Sequence, residues 1–478
     1  MLRVACLSWM LLASSAFGAT VKVEITLDPA KARAEAVPPD FAGLSIEMQA
    51  VRAAFNTPKG HWLSAANAPY AAMLKRMGVR SLRVGGNTTE RNAPDGTRPV
   101  KPYPADADAT HVNDFANAIG ANLIWCLPVS ARFDPASYSD YAARMLEDQA
   151  AKGYTFETVF QIGNEPDLFR VSLADYQPRF EDYRKALDEA LGPRALYCGP
   201  SCAGNTSYAK WLASEPKYQE AAVRDRVAYV THHWYPFGGA NSYPNAEAAI
   251  AALLGPTDAK YRGFYDGWAR AAREGGFRPR LDESNSFYNG GFAGASDSFA
   301  AALWALDYLS YFSHETEMAG IHFHNAGTAV YNAITPAGLA PSYTLKGVGY
   351  GLLAFEQNGQ GRPVPRTIRN PGQMNLTAYA LLHADGTQTL RLINKTHGAK
   401  AVDATVIVDP GQRFAHAEVL YLAAPDDDPA ATAGITLGGQ PMGGDGVWAG
   451  GFSPPLAAKK GRFSISVPHT RAAIVHFY

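Results

Sequence analysis

The chain has 478 residues, with 43 Lys and Arg against 44 Asp and Glu, for a net charge of −1. Hydrophobic residues make up 47% and charged residues 18%, which supplies a packed core and excludes disorder as the main state. The near-neutral balance lacks the basic footprint of a nucleic-acid binder, and the length suits two or three domains, or one α/β barrel with an addition.

Arg3, an apolar run over 4–12 and small residues over 13–19 have the layout of a secretory signal peptide. Residues 1–18 are expected to be removed, leaving a secreted or periplasmic protein. No other segment reaches about 18 apolar residues, so no membrane span is expected. After Cys6, only Cys126, Cys198 and Cys202 remain. They allow one bridge at most, and Cys198 and Cys202, which flank Gly-Pro-Ser, could pair.

Residues 20–28 alternate apolar and polar side chains, as an edge or half-buried strand does. From about 40 to 325, eight nearly continuous apolar runs follow, at 41–48, 81–86, 122–129, 158–165, 195–202, 227–235, 279–285 and 320–325. Such runs read as parallel strands buried on both faces. Helical spacing fills the gaps at 67–77, 138–151, 173–191 and 298–314. Eight strand–helix repeats over 30–344 predict a (β/α)8 barrel of the α/β class. A doubly wound sheet is the alternative, but its Gly-rich phosphate turn is missing after the first run, which ends Ser45-Ile46-Glu47. After 345 the runs become short and alternating, at roughly ten-residue intervals with Gly, Asp and Pro between them. That texture predicts a β-sandwich domain over 345–478, joined by the strand at 20–28.

Barrel active sites lie at the C-terminal strand ends. Here those ends carry Glu47, Arg83, Gly85-Gly86-Asn87, Asn164-Glu165, His232-His233-Trp234-Tyr235, Asp282-Glu283, His322 and His324-Asn325. Burying that many polar groups unpaired costs several kcal/mol each, so they pair with one another or face a ligand. The sharpest pair is Glu165 with Glu283, on the fourth and seventh runs. A lone Glu at a strand end is more often an ion-pair partner. Two carboxyls facing across a barrel mouth can instead share acid and nucleophile roles on a glycosidic bond, with a separation of about 5–5.5 Å for retention and about 6.5–9.5 Å for inversion.

Asn164-Glu165-Pro166 with a Glu after the seventh strand resembles clan A of the glycoside hydrolases. Gly43-Leu-Ser-Ile-Glu47, Leu82-Arg-Val-Gly-Gly-Asn87, Gln161-Ile-Gly-Asn-Glu165-Pro and the Glu283 loop resemble family 79, the β-glucuronidases and heparanases, over nearly the whole mature chain. The resemblance implies Glu165 as general acid/base and Glu283 as nucleophile. It implies Asn164 on the sugar 2-hydroxyl, Glu47 and Asn87 on other hydroxyls, and Tyr235 and Arg83 as donors that keep Glu283 ionised. The acid needs a proton near the working pH.

The residues after Glu283 read Ser284-Asn-Ser-Phe-Tyr288-Asn289-Gly290-Gly291. By itself Asn-Gly is a turn dipeptide. In the family's β-glucuronidases the Tyr and Gly of this loop grip the glucuronate carboxylate. The resemblance therefore implies Tyr288 and Gly290 as carboxylate donors, with Tyr331 as a third. Glycine lets backbone approach closely, and a tyrosine hydroxyl adds a donor. The expected partner is a glucuronate-containing carbohydrate. A clan A glycosidase on a neutral sugar fits the same residues, and a carbohydrate-binding relative without catalysis is the non-enzyme alternative. The four strand-end histidines raise a metal reading. They come from only two strands, and no carboxylate joins them at ligand spacing, so no metal or cofactor is expected. His233 or Trp234 is expected to wall the sugar site, and 322 and 324, two apart, are expected to point the same way toward the mouth.

Overall fold

The computed structural model describes residues 20–56, 58–90 and 104–478. The expected signal peptide at 1–18 lies outside them. β1 (Thr20–Leu27) precedes eight parallel strands: β2 (Ala42–Glu47), β3 (Ser81–Gly85), β4 (Asn122–Leu127), β5 (Thr158–Ile162), β6 (Tyr197–Cys202), β7 (Val227–Trp234), β8 (Pro279–Ser284) and β9 (Gly320–Asn325). They close in sequence order, β2 to β9, into one barrel. Every strand is buried over most of its length, as the unbroken apolar runs require.

The amphipathic segments form the outer helices. Leu173–Leu191 starts at Ser172, whose hydroxyl accepts from the Asp175 N–H, and Pro135–Ala151 starts at Asp134, whose carboxylate accepts from the Ser137 N–H. These side chains satisfy N–H groups that the first helical turn leaves unpaired. Phe299–Glu315 is buried on nearly all sides because a second helix, Gly347–Glu356, packs over it in the same hydrophobic core. That second helix follows 345, where the sequence texture changes, and belongs to the barrel's packing.

The C-terminal strands form two sheets. In one, β1 pairs antiparallel with Arg366–Arg369 and parallel with Asp403–Asp409, which pairs with Phe463–Val467. The other runs Arg362–Val364, Leu376–Leu382, Gln388–Asn394, Arg471–Phe477, His416–Ala423 and Thr436–Leu437. Val23 and Ile25 of the first share a core with Ala378, Leu390 and Val475 of the second. The alternation at 20–28 is thus one face on this core and one in solvent. Among the described residues no helix is long and apolar enough to cross a membrane.

Two sequence expectations need correction. Cys198 and Cys202 are free and buried, as is Cys126. Cys198 and Cys202 lie four positions apart on β6 and are not bonded to each other. His322 does not reach the barrel mouth: it is fully buried lower in the barrel, its Nε2 2.8 Å from the Ser81 hydroxyl.

Candidate active site

The strand ends line a cavity of about 1100 Å³ at the C-terminal mouth of the barrel. Glu47, Asn87, Glu165, Tyr235, Glu283, Tyr288, Gly290, His324 and Tyr331 all face it. No Lys or Arg is among its described lining residues.

Arg83, fully buried beneath, organises the floor. Its Nη1 donates to Glu283 Oε2 at 2.6 Å and to the Ser45 hydroxyl at 2.8 Å. Its Nη2 donates to Asn164 Oδ1 at 2.6 Å and its Nε to Gln161 Oε1 at 2.8 Å. The glycines after it are needed for this packing. A Cβ on Gly85 would lie 2.7 Å from Arg83 Cζ, and one on Gly86 2.6 Å from the Glu47 carboxyl carbon, where φ is +77°.

Glu283 also accepts from the Tyr235 hydroxyl at 2.8 Å, and His324 Nδ1 stands 3.7 Å from it. Burial works against its ionisation, but the charges of His324, His233 and Arg83 and the Tyr235 bond outweigh it and hold the carboxyl far below its ordinary range. Glu165 sits at the end of β5 in a left-handed backbone conformation, φ +45°, which is strained for a non-glycine residue. Its N–H donates to the Ser201 carbonyl at 2.9 Å, and its Oε1 lies 3.0 Å from His233 Nδ1.

One oxygen of Glu165, one of Glu283 and a His233 nitrogen lie within 4.8 Å of one another. The two carboxyls are thus brought together across the mouth, the nearest approach of their oxygens being under 4.8 Å. The two carboxylates gather about His233 in space although nothing in the chain spacing shows it. A cation there would be repelled by the Arg83 guanidinium, and Arg83 and Tyr235 each already donate to one Glu283 oxygen, so the cluster is poorly suited to hold one.

The other expected residues fall around this pair. Glu47 accepts from the Thr88 N–H and hydroxyl at 3.0 and 2.6 Å and lies 3.5 Å from His324 Nε2. Burial opposes its charge, yet the His324 and Thr88 contacts keep it below the ordinary carboxyl range. Asn164 is fully buried behind Asn87, its Nδ2 3.3 Å from Asn87 Oδ1, so Asn87 is the one that meets the cavity. On the β8 loop, the Gly290 carbonyl accepts from the Val330 N–H at 2.7 Å, while its own N–H has no acceptor among the described residues. Tyr288 is half exposed, and the Tyr331 ring stands 6.2 Å from Tyr235. Trp234 lines the cavity and stacks on Phe264 at 3.9 Å.

The sequence names Ser45, Gln161 and Asp282 in its motifs and strand ends without giving them a role, and it leaves Glu90 unmarked. The first two were signalled as polar residues within apolar strands. Glu90 accepts from the N–H groups of Val129, Ser130 and Asn164 and so fixes the loop that carries the pair's first carboxyl. Burial pushes it up to about 7 against those bonds.

No protein-family model matches the chain, and no curated protein is significantly similar in sequence. Solved structures are similar. One is a 4-O-α-L-rhamnosyl-β-D-glucuronidase from Fusarium oxysporum 12S, with a TM-score of 0.66 at 17% identity, covering 95% of this chain and 99% of that one. Another is a family 51 α-L-arabinofuranosidase from Bifidobacterium longum, with a TM-score of 0.68 at 16% identity, covering 96% and 100%. A family 44 xyloglucanase from Paenibacillus polymyxa gives 0.63 at 12% identity, covering 96% and 100%. At such identities the likeness establishes the fold: a barrel and β-domain shared over nearly the full length of both chains.

Proposed function

We propose that the protein is an exported retaining β-glucuronidase of the family 79 type. The observation that carries the hydrolytic reading is the Glu165–Glu283 pair, within 4.8 Å, with Arg83 and Tyr235 bonded to Glu283. Glu283 attacks the anomeric carbon while Glu165 gives its proton to the departing oxygen. The glycosyl ester on Glu283 is then opened by a water that Glu165 deprotonates, so the β configuration returns. Glu47 and Asn87 are placed to hold hydroxyls. Export rests on the N-terminal segment 1–18.

Three neutral donors support an acidic sugar: the Tyr288 and Tyr331 hydroxyls and the Gly290 N–H all border the cavity that holds Glu283. The similar glucuronidase structure agrees with that choice. A second reading, a neutral-sugar β-glycosidase, is favoured by the lack of a lining Lys or Arg among the described residues. Comparing nitrophenyl β-glucuronide with the matching β-glucoside decides between them. The first reading expects the glucuronide to be cleaved at least about a hundredfold faster, the worth of two or three donors to a buried carboxylate. Faster cleavage of the glucoside would replace it with the second.

A further inference from the structure

Behind Glu165, away from the cavity, lies a buried chain of groups that the double displacement does not call on. His233 Nδ1 is 3.0 Å from Glu165 Oε1, and its Nε2 is 3.5 Å from Asp282 Oδ1. Both residues are fully buried. The other Asp282 oxygen accepts from the Ser201 hydroxyl at 2.5 Å, and that hydroxyl lies 2.7 Å from Thr231 Oγ1. Neither His233 Nε2 nor Asp282 Oδ1 makes a hydrogen bond to any described residue; they face each other at ion-pair distance.

A break in register builds this arrangement. Between β7 and β8, His232 pairs with Leu281 and His233 with Glu283, so Asp282 is an extra residue. Successive strand residues ordinarily point to opposite faces, but a bulge re-aims one of them. Asp282 and Glu283 therefore both turn into the barrel, one under His233 and the other toward the cavity.

We propose that Asp282 holds His233 as a doubly protonated imidazolium whose Nδ1–H binds Glu165 Oε1, leaving Oε2 as the oxygen that exchanges the proton with the leaving group. This rests on Glu165 being the acid/base. A carboxylate oxygen facing Nε2 at 3.5 Å favours a proton there, since a bare nitrogen would meet it lone pair to lone pair. A bare Nδ1 would then draw the Glu165 proton away from the cavity, whereas Nδ1–H leaves it on Oε2. The groups facing His233 are Glu165, Glu283, Asp282, the Arg83 guanidinium and His232. Burial and Arg83 oppose the cation, but Glu283, Asp282 and the Glu165 bond outweigh them and raise the ring's affinity for its proton. His233 keeps both protons throughout. When Glu165 passes its own to the departing oxygen, the new carboxylate already has a charged donor in place. His233 is thus a positioning residue.

Nitrogen NMR of wild-type protein labelled in histidine tests this without any substrate, the His233 signals being those lost in His233→Asn. The expected result is imidazolium shifts at both ring nitrogens from pH 5 to 8; a bare-nitrogen shift there overturns the proposal. Because this reading needs no turnover, it stands apart from whether any glycoside is cleaved. On a cleaved substrate, Asp282→Asn is expected to move the alkaline limb of kcat/KM about one unit toward acid, as the imidazolium loses its anion. A lower rate with an unmoved limb would show a merely structural role and overturn it. His233→Asn, which keeps a neutral donor near Nδ1, is expected to retain about tenfold more kcat than His233→Leu; equal losses would also count against it.

Discussion

At the scale of single residues, the two carboxyls are set apart by their neighbours. The Glu283 carboxyl is bonded to a guanidinium and a phenol, and the Glu165 carboxyl, among the described residues, to an imidazole alone. An acid matters most where the leaving oxygen is basic. Glu165→Ala is therefore expected to cost about a hundredfold or more on an alkyl β-glycoside and under about tenfold on a nitrophenyl one. Equal losses in a rate comparison would remove Glu165 from that role. Tyr235→Phe takes one donor from Glu283. The nucleophile must be ionised, and losing a donor to the anion raises its pKa. The acid limb of kcat/KM is expected to move about one unit toward higher pH, leaving the rate at neutral pH less affected. A pH profile with an unmoved acid limb would show that the phenol does not tune Glu283.

At the scale of elements, the eight strands and most helices were legible because burial on both faces leaves an unbroken apolar run, and burial on one face a 3.6-residue rhythm. Leu173–Leu191 has the bounds its spacing predicts. The polar strand ends marked the mouth for the same reason: Arg83 and Gln161 interrupt apolar runs and find each other there. What could not be read was the bulge at Asp282. Alternation allows Asp282 or Glu283 to face inward, and only the register break turns both. For the same reason the chain alone leaves either His233 or Trp234 as the wall of the sugar site; Trp234 lines the cavity, and His233 lies behind Glu165. The turn after β3 gives a test at this scale. In Gly86→Ala the new methyl would press on the Glu47 carboxyl in a backbone region that alanine rarely adopts. The variant is expected to lose about 1–3 kcal/mol of stability in a denaturant titration, and kcat/KM with it. Wild-type behaviour in both would show that the turn tolerates a side chain.

At the scale of the whole molecule, the β-domain braces the barrel through buried charge. Lys395, beside the sheet strand Gln388–Asn394, pairs with Asp307 of the barrel helix Phe299–Glu315 at 2.8 Å. Arg366 reaches Glu315 on that helix. Burial opposes the Glu315 charge, but the His314 and Arg366 contacts hold it down at about 2. A carboxyl depressed on folding stabilises above its unfolded value near 4.5, and that contribution fades as pH falls toward about 2. Glu315→Gln is expected to cost about 1–2 kcal/mol at pH 7 and almost nothing near pH 2. Thermal melts across that range check it, and a constant difference would mean the pair contributes nothing through charge. The β-domain's texture is visible in the sequence, as is the alternation of β1, which pairs with Asp403–Asp409. These long-range charge pairs are not, since each joins positions 51 or more apart.

The central claim is that Glu165 and Glu283 act together on one anomeric carbon. Proton NMR of the first sugar released from nitrophenyl β-glucuronide, read before the anomers equilibrate, tests it most directly. The β anomer is predicted. Release of the α anomer, or no release from this or the matching glucoside, would contradict it.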